Sequence, residues 1–475
     1  IEVKNRTKTV KIVSHPSVKM DFGSGVLMVC SFGDQNDVSI FRELKLKPFQ
    51  AIDLEGKLTS ISGPLFGLSV MDARDKAIEL LSDNNLISTI QDHIQEIPVS
   101  ERGNNPIEII LLKEWYVKQT HIQNRILELS KQSRVIPERN RQFLNDWMEG
   151  ISIDWPISRR RWYHTEIPIW YSEDGTKIIL PPTGKYVQPW KDLPPAGSEV
   201  LDRKSREFIC KYDKDLPHLG LIKGENKVFD TWMDSSNSNL FVSGYLNDND
   251  LFRRSFPTAL RPQGKEIVRT WLYYTMLKST LLLDKPAFNH IWIDGLGMDP
   301  WGRKMSKSVG NTVDPNDIIL NYGADTARLF ILFGAPVDRD LEWSEQGVDG
   351  CYRFLKSAYK CATNYAEFPI KDGKEEDIIK QCHKTIKGVE YDINRFSYNT
   401  AISKMMELVN FCYSNGSTPF VGEILAKLLA PFAPFMAEEI WEKLGQPNSI
   451  HLETWPQYDE KLIVDDTCTI VIQVN

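Results

Sequence analysis

The stretch Gly302-Arg303-Lys304-Met305-Ser306-Lys307-Ser308-Val309-Gly310-Asn311 decides how the rest of the sequence is read. Three cations and two hydroxyls fall within residues 303–308, with a glycine at or near each end of the run. Glycine opens backbone conformations closed to other residues, and lysine carries a compact charge on a flexible stem. Such a segment can swing ammonium groups towards an anion, and polyphosphate is the natural candidate. Upstream, Asn289-His290-Ile291-Trp292-Ile293 has the composition of a buried strand, and Asp294-Gly295-Leu296-Gly297 breaks it. Downstream, Asp314 is placed to cap a helix with Pro315 at its first position. Strand, cationic loop and helix in that order predict a ligand-facing loop at the carboxyl edge of an α/β sheet. On composition alone, a solvated turn with ordinary surface lysines is the commoner fate of such a loop.

Length and composition set the outer bounds. At 475 residues the chain has room for about three domains. Its 41% hydrophobic and 25% charged residues are ordinary for a globular protein with a sizeable core. The net charge of -7 excludes a generally basic nucleic-acid binder, while leaving local patches such as Arg159-Arg160-Arg161 free to hold phosphate. The seven cysteines include no Cys-x-x-Cys pair, which fits a reducing cytoplasm and offers neither a disulfide framework nor a thiolate zinc site. No run approaches the roughly 18 apolar residues of a membrane span, so no membrane partner is expected. The chain opens on Ile1 in mid-pattern and reads as a piece of something longer.

Other stretches carry chemistry less plainly. Residues 1 to about 100 alternate strand-like runs, such as Val10-Lys11-Ile12-Val13 and Gly25 to Cys30, with loops. Asp34 and Asp37 lie three apart and could hold an ammonium group together, although an aspartate-rich turn capping the next helix is the plainer reading. Ile107 to Val117 is strand-like, and Gln119 to Gln132 is helical. Residues 154–171 mix arginines with aromatics, a pattern of nucleic-acid contacts but more commonly of a buried junction. Gly264 and Glu266 stand at a helix start, with Ile267 and Trp271 sharing one face; there a glycine admits close backbone approach and an acid can accept a ribose hydroxyl. From about 345 onward the pattern is helical, with helices expected near 346–366, 375–395, 397–414 and 421–444. The apolar stripe from Leu425 to Trp441 reads as the core of a bundle.

The string Lys304-Met305-Ser306-Lys307-Ser308 resembles the signature loop of the class I aminoacyl-tRNA synthetases. The resemblance runs along most of the chain and, within the class, is nearest to archaeal-type enzymes acting on valine. It implies the second half of a Rossmann-like α/β catalytic domain, preceded by part of a β-rich editing insertion and followed by an α-helical anticodon-binding bundle. The expected divisions are 1–105 for the partial editing insertion, 106–150 for the return connection, 151–335 for the catalytic half, 336–460 for the bundle and 461–475 for the start of a further piece. The implied reaction is ATP-dependent ligation of valine to its tRNA through an aminoacyl-adenylate, with Mg2+ accompanying ATP, in a cytoplasmic monomer.

Residue by residue, the resemblance makes Lys304 and Lys307 catalytic and places Gly264, Glu266, Ser306 and Lys307 at ATP. It makes Ile267 and Trp271 walls of the amino-acid pocket, and gives Asp34 and Asp37 to editing, with Asp37 on the amine. The unit Gly264 to Trp271 matches the family's Gly-x-Asp-x-x-x-x-Trp element, except that Glu266 lengthens the usual aspartate. Where relatives often carry zinc-binding cysteine pairs, this chain reads Glu101-Arg102-Gly103-Asn104-Asn105 and Tyr171-Ser172-Glu173-Asp174-Gly175, so zinc is not expected. None of the eight histidines lies in the His-x-Gly-His element that completes the nucleotide site, so this polypeptide alone is expected not to exchange pyrophosphate into ATP. Residues 334–344 and the bundle look more like leucine enzymes. A leucine or isoleucine ligase, and a catalytically incompetent tRNA-binding paralogue, therefore stay open.

Overall fold

The computed structural model describes residues 12–464 apart from 21–24, 30, 93, 95, 101–102 and 308. It divides into two compact units, residues 1–115 and 116–475. In the first, helix α1 (Gln35–Glu43) is capped by Asp34, and α2 (Val70–Asp83) by Ser69, whose hydroxyl accepts the Asp72 N–H. The strand-like runs form no ladder at residues 12–13 and 25–29, while Val10, Lys11 and Cys30 lie outside the described residues. A strand is stable only against a partner, and these stretches find none among the described residues.

The second unit is built on a parallel three-stranded sheet. Strand β1 (Arg134–Ile136) pairs with one side of Phe288–Asp294, and Thr258–Gly264 pairs with the other. In chain order these two strands are β2 (Thr258–Gly264) and β3 (Phe288–Asp294), with α3 (Tyr273–Leu283) between them as the crossover. Ile291 and Ile293, on one face of β3, are fully buried, while His290 and Trp292 on the opposite face are half-buried. Of the run 107–117 only Tyr116–Val117 pairs, and the following helix is confined to Gln123–Ser130. A separate antiparallel sheet of five short strands, between Trp170 and Gly224, has its own core of Trp170, Ile179, Val200 and Leu219. Within it Ser172, Asp174 and Thr176 close a turn: Asp174 accepts the Ser172 hydroxyl at 2.6 Å and the Thr176 hydroxyl at 2.7 Å.

After β3 the chain makes the short strand β4 (Gly297–Met298), then α4 (Pro315–Tyr322) and α5 (Ala324–Phe333). Asp314 caps α4 through the Asn316 N–H at 2.9 Å with Pro315 at the first position, as the sequence predicts. Strand β5 (Leu341–Glu342) then lies parallel to β4. The bundle follows as α6 (Glu345–Thr363), α7 (Glu375–Asn394), α8 (Tyr398–Asn415), α9 (Pro419–Leu429) and α10 (Pro434–Lys443). The single helix expected over 421–444 is thus two. Pro431 and Pro434 lack the N–H that a continuous helix needs there, and Pro434 instead opens α10. Leu425, Leu428, Leu429, Phe432, Ile440 and Trp441 form the core as expected, but Phe435 is 70% exposed because the break turns it outward. The terminal strand expected over 467–474 lies outside the described residues.

Candidate functional site

Strands β2 and β3 end together, with Gly264 paired to Asp294. That register brings the start of the Glu266 segment and the root of the lysine loop to one carboxyl edge of the sheet, where parallel α/β sheets bind ligands. Beyond Gly264 the chain makes a tight turn over Lys265–Ile267, then a π-helical turn over Val268–Leu272, before α3 begins. Gly264 leaves room for the exposed Glu266 carboxylate to fold back: a β-carbon there would stand 2.3 Å from Oε2. Glu266 also disfavours the charge on neighbouring Asp294, whose acidity is weakened first by burial and then by that repulsion.

Trp271 is 7% exposed and packs on Phe288, with ring centroids 5.8 Å apart. The Arg261 guanidinium lies 4.0 Å from its ring centroid, and burial lowers that arginine's pKa. The Trp271 Nε1 donates to the Ser235 carbonyl at 2.9 Å, which ties the turn after Asp230 to the π-helical segment. Lys278 holds the same turn, donating to the carbonyl of Met233 and to Asn237 Oδ1, and burial pushes its ammonium pKa down to about 8. Ile267 is half-buried. Ile267 and Trp271 thus stand on one short segment, Trp271 mostly as core.

The lysine loop is latched at its base. Asp299 is 1% exposed and accepts N–H groups of Trp301 at 3.0 Å and Arg303 at 2.8 Å, the Arg303 guanidinium at 2.8 Å, and the Asn311 amide at 3.1 Å. Burial opposes its charge, but these donors hold its pKa down to about 2. Asn311 in turn accepts the Ser306 N–H at 2.9 Å and donates to the Lys304 carbonyl at 3.1 Å. The Lys304 backbone bridges to Met298, so its flexible side chain springs from a fixed point on the main chain. Both Lys304 and Lys307 are exposed, and neither has an ion-pair partner among the described residues. Ser306 is half-buried within the latch, and Ser308 lies outside the described residues.

A second tie joins the two edges of the site. Asp340 accepts the Lys265 ammonium at 2.7 Å and the Leu296 N–H at 3.0 Å, so it links the end of β2 to the root of the loop. Gly295 donates to the Val337 carbonyl at 2.9 Å, and a β-carbon on it would stand 2.0 Å from the Arg339 carbonyl oxygen. Gly295→Ala should therefore lower unfolding free energy by about 1–3 kcal/mol, the usual cost of overpacking, measured by urea denaturation of the 475-residue chain. Sequence reasoning does not single out Asp299, Asn311, Asp340 or Gly295. Only the turn composition around Asp294-Gly295-Leu296-Gly297 hints at one of them.

The two aspartates of the first unit cap a helix. Asp34 Oδ1 accepts the Asp37 N–H at 2.9 Å, and Asp37 Oδ2 accepts the Gly33 N–H at 2.9 Å. At the basic and aromatic junction, Arg159 pairs with Asp230, whereas Trp162 is 94% exposed beside exposed Arg161.

The family of class I tRNA synthetases (I, L, M and V) matches residues 1–344, and the anticodon-binding domain of tRNA ligases matches residues 375–475. The chain belongs to the class I tRNA synthetases. It is 34% identical to the valine–tRNA ligase of Aeropyrum pernix, over 98% of this chain and 60% of that protein. It is 35% identical to the valine–tRNA ligase of Nanoarchaeum equitans, over 92% and 59% respectively. The chain therefore spans about 60% of the length of these curated relatives. Among solved synthetase structures it is similar to the agnB2 LeuRS of Agrobacterium radiobacter K84, determined in ternary complex with tRNA and LeuAMS. That likeness has 26% identity and a TM-score of 0.52, and covers 66% of this chain and 44% of that one. The synthetase fold seen here is accordingly a class I catalytic half with a helical anticodon-binding region.

Proposed function

We propose that this chain supplies the lysine-loop half of the catalytic site, and the tRNA-binding bundle, of a valine–tRNA ligase. The observation that supports it most is the shared edge: Gly264 ends β2 opposite Asp294, from which the lysine loop springs. ATP would lie along that edge, its adenosine against the Gly264 backbone and its triphosphate under Lys304 and Lys307, with Ser306 beside them. Magnesium enters only as the counter-ion that ATP brings. Among the described residues no group of three His, Cys, Asp or Glu side chains is placed to hold a metal.

A valine carboxylate oxygen attacks the α-phosphorus, the bond to the bridging oxygen breaks, and pyrophosphate leaves. The protein does little covalent work here. Lys304 and Lys307 offset the charge that moves onto the leaving phosphates, and the latch at Asp299 fixes where their stems begin. Glu266 is assigned to the valine ammonium and the ribose, while Ile267 and Trp271 line the side-chain slot. The acyl group then passes to the 3′ adenosine of tRNA. Asp37, supported by Asp34, is assigned to the amine of a mischarged product in the editing unit. The divisions 1–105, 106–150, 151–335, 336–460 and 461–475 are proposed as the functional parts.

Valine is favoured over its neighbours by the names of the relatives. A hydrophobic slot separates side chains by only about 1–3 kcal/mol per methylene, as already known for this class of enzyme. Pyrophosphate exchange by a protein that completes the catalytic domain upstream of residue 1 is the test. Valine should dominate isoleucine and leucine, and dominance by leucine would overturn the valine assignment.

A further inference from the structure

The helical region holds an open cavity of about 720 Å³ walled by α4, α5, α6, α8 and α10. Most of its lining comes from α6, and residues 345–374 fall outside both matched family ranges. Two chemistries meet there. Arg353, Lys356 and Lys360 follow one another along one face of α6, at a spacing that places helix residues in line. Tyr322, Tyr352, Tyr359 and Tyr413 supply aromatic faces around them. Lys356 stands 4.6 Å from the Tyr352 ring centroid, and Tyr322 meets Tyr352 edge-on at 5.5 Å. The Lys360 ammonium has no ion-pair partner among the described residues.

The walls are fixed in place. Asp325 of α5 accepts the Met436 N–H of α10 at 2.7 Å, and buried Leu355 and Ala358 anchor α6 in the core. A net charge of -7 makes a cationic stripe local rather than average. A bare phosphate would leave the tyrosines unused, and an apolar ligand would leave the cations unused. A nucleotide uses both, with its base against an aromatic face and its phosphate on ammonium groups. Paired RNA keeps its bases stacked, so only an unpaired nucleotide can enter.

We propose that this cavity takes one unpaired nucleotide of the bound tRNA, with phosphate on Lys356 and Lys360 and base against the tyrosines. This rests on the reading that the chain binds tRNA. The test uses the 475-residue chain and a fluorescent valine-tRNA transcript, followed by polarisation across a salt series. Lys356→Ala with Lys360→Ala should weaken binding about ten-fold and reduce the salt slope by about 1, because both ammonium groups serve one phosphate. A matched pair in the loops of the five-stranded sheet, Lys185→Ala with Lys204→Ala, should change neither. Tyr413→Ala should weaken binding about five-fold or more, and Tyr413→Phe should restore it, because stacking needs the ring and not the hydroxyl. Wild-type affinity in the Lys356/Lys360 pair, or equal competition by a fully paired RNA duplex, would overturn the cavity assignment and leave tRNA binding standing. Failure of the wild-type chain to bind the transcript would remove both.

Discussion

Alanine in place of Lys304 or Lys307 is expected to slow valine-dependent pyrophosphate exchange by about 10²-fold each, the scale of losing one preorganised donor at a developing charge. The assay needs a protein that completes the catalytic domain upstream of residue 1. The loss should fall on kcat, with the KM for valine nearly unchanged, if the ammonium groups act as proposed, on charge that appears only as the phosphorus–oxygen bond breaks. Arginine at either position should recover only part of the rate, since its planar fork replaces a point charge on a swinging stem. An unchanged kcat for both alanine variants would remove the loop from the chemistry.

The second large effect is expected at Asp299, which never needs to touch ATP. Its side chain collects donors from Trp301, Arg303 and Asn311, and Asn311 passes the constraint to Ser306 and Lys304. Asp299→Ala strands those donors and frees the loop base. A displacement near 1 Å at a reacting group costs on the order of 10²-fold, so exchange should fall by about that factor while the bundle stays folded. Asn311→Ala should fall less, since Asp299 keeps its backbone donors.

The latch also has a defined acid limit. The pKa of Asp299 in the fold, about 2, lies below its ordinary value of 3.8, so its charge favours the folded loop above about pH 4. That contribution is lost as pH falls towards 2. Hydrogen-exchange protection of the Arg303 and Ser306 amides, taken relative to the intrinsic rate at each pH, should be high at neutral pH and fall in that window.

Local chemistry makes the helix starts and the lysine loop legible in the sequence. Asp314 and Pro315 open their helix as expected, and the apolar stripe through Leu425, Leu428, Leu429, Ile440 and Trp441 is core. Periodicity misleads where proline acts inside an otherwise continuous pattern, at Pro431 and Pro434, because the stripe persists across the break. It also misleads where strand-like composition finds no partner, at residues 12–13 and 25–29.

Within the site, the motif residues are visible in the sequence and their supports are not. Asp340 reaches Leu296 across 44 positions and Lys265 across 75, and no period or spacing in a sequence encodes such a pairing. Asp299 and Asn311 look like ordinary turn residues until the loop is closed. The helical face of Trp271 reads as core and only the family resemblance makes it a pocket wall; the π-helical turn and the Ser235 contact place most of it in the core. For Asp34 and Asp37, the capping pattern accounts for the bonds seen, while their editing role stays a proposal to be tested on mischarged tRNA.

The measurement that bears most directly on the account is a structure of the completed catalytic domain with a non-hydrolysable ATP analogue. The Lys304 and Lys307 ammonium groups should lie within about 3 Å of triphosphate oxygens, with the adenosine against Gly264 at the ends of β2 and β3. ATP bound elsewhere, or bound at that edge with both lysines still in solvent, would contradict it.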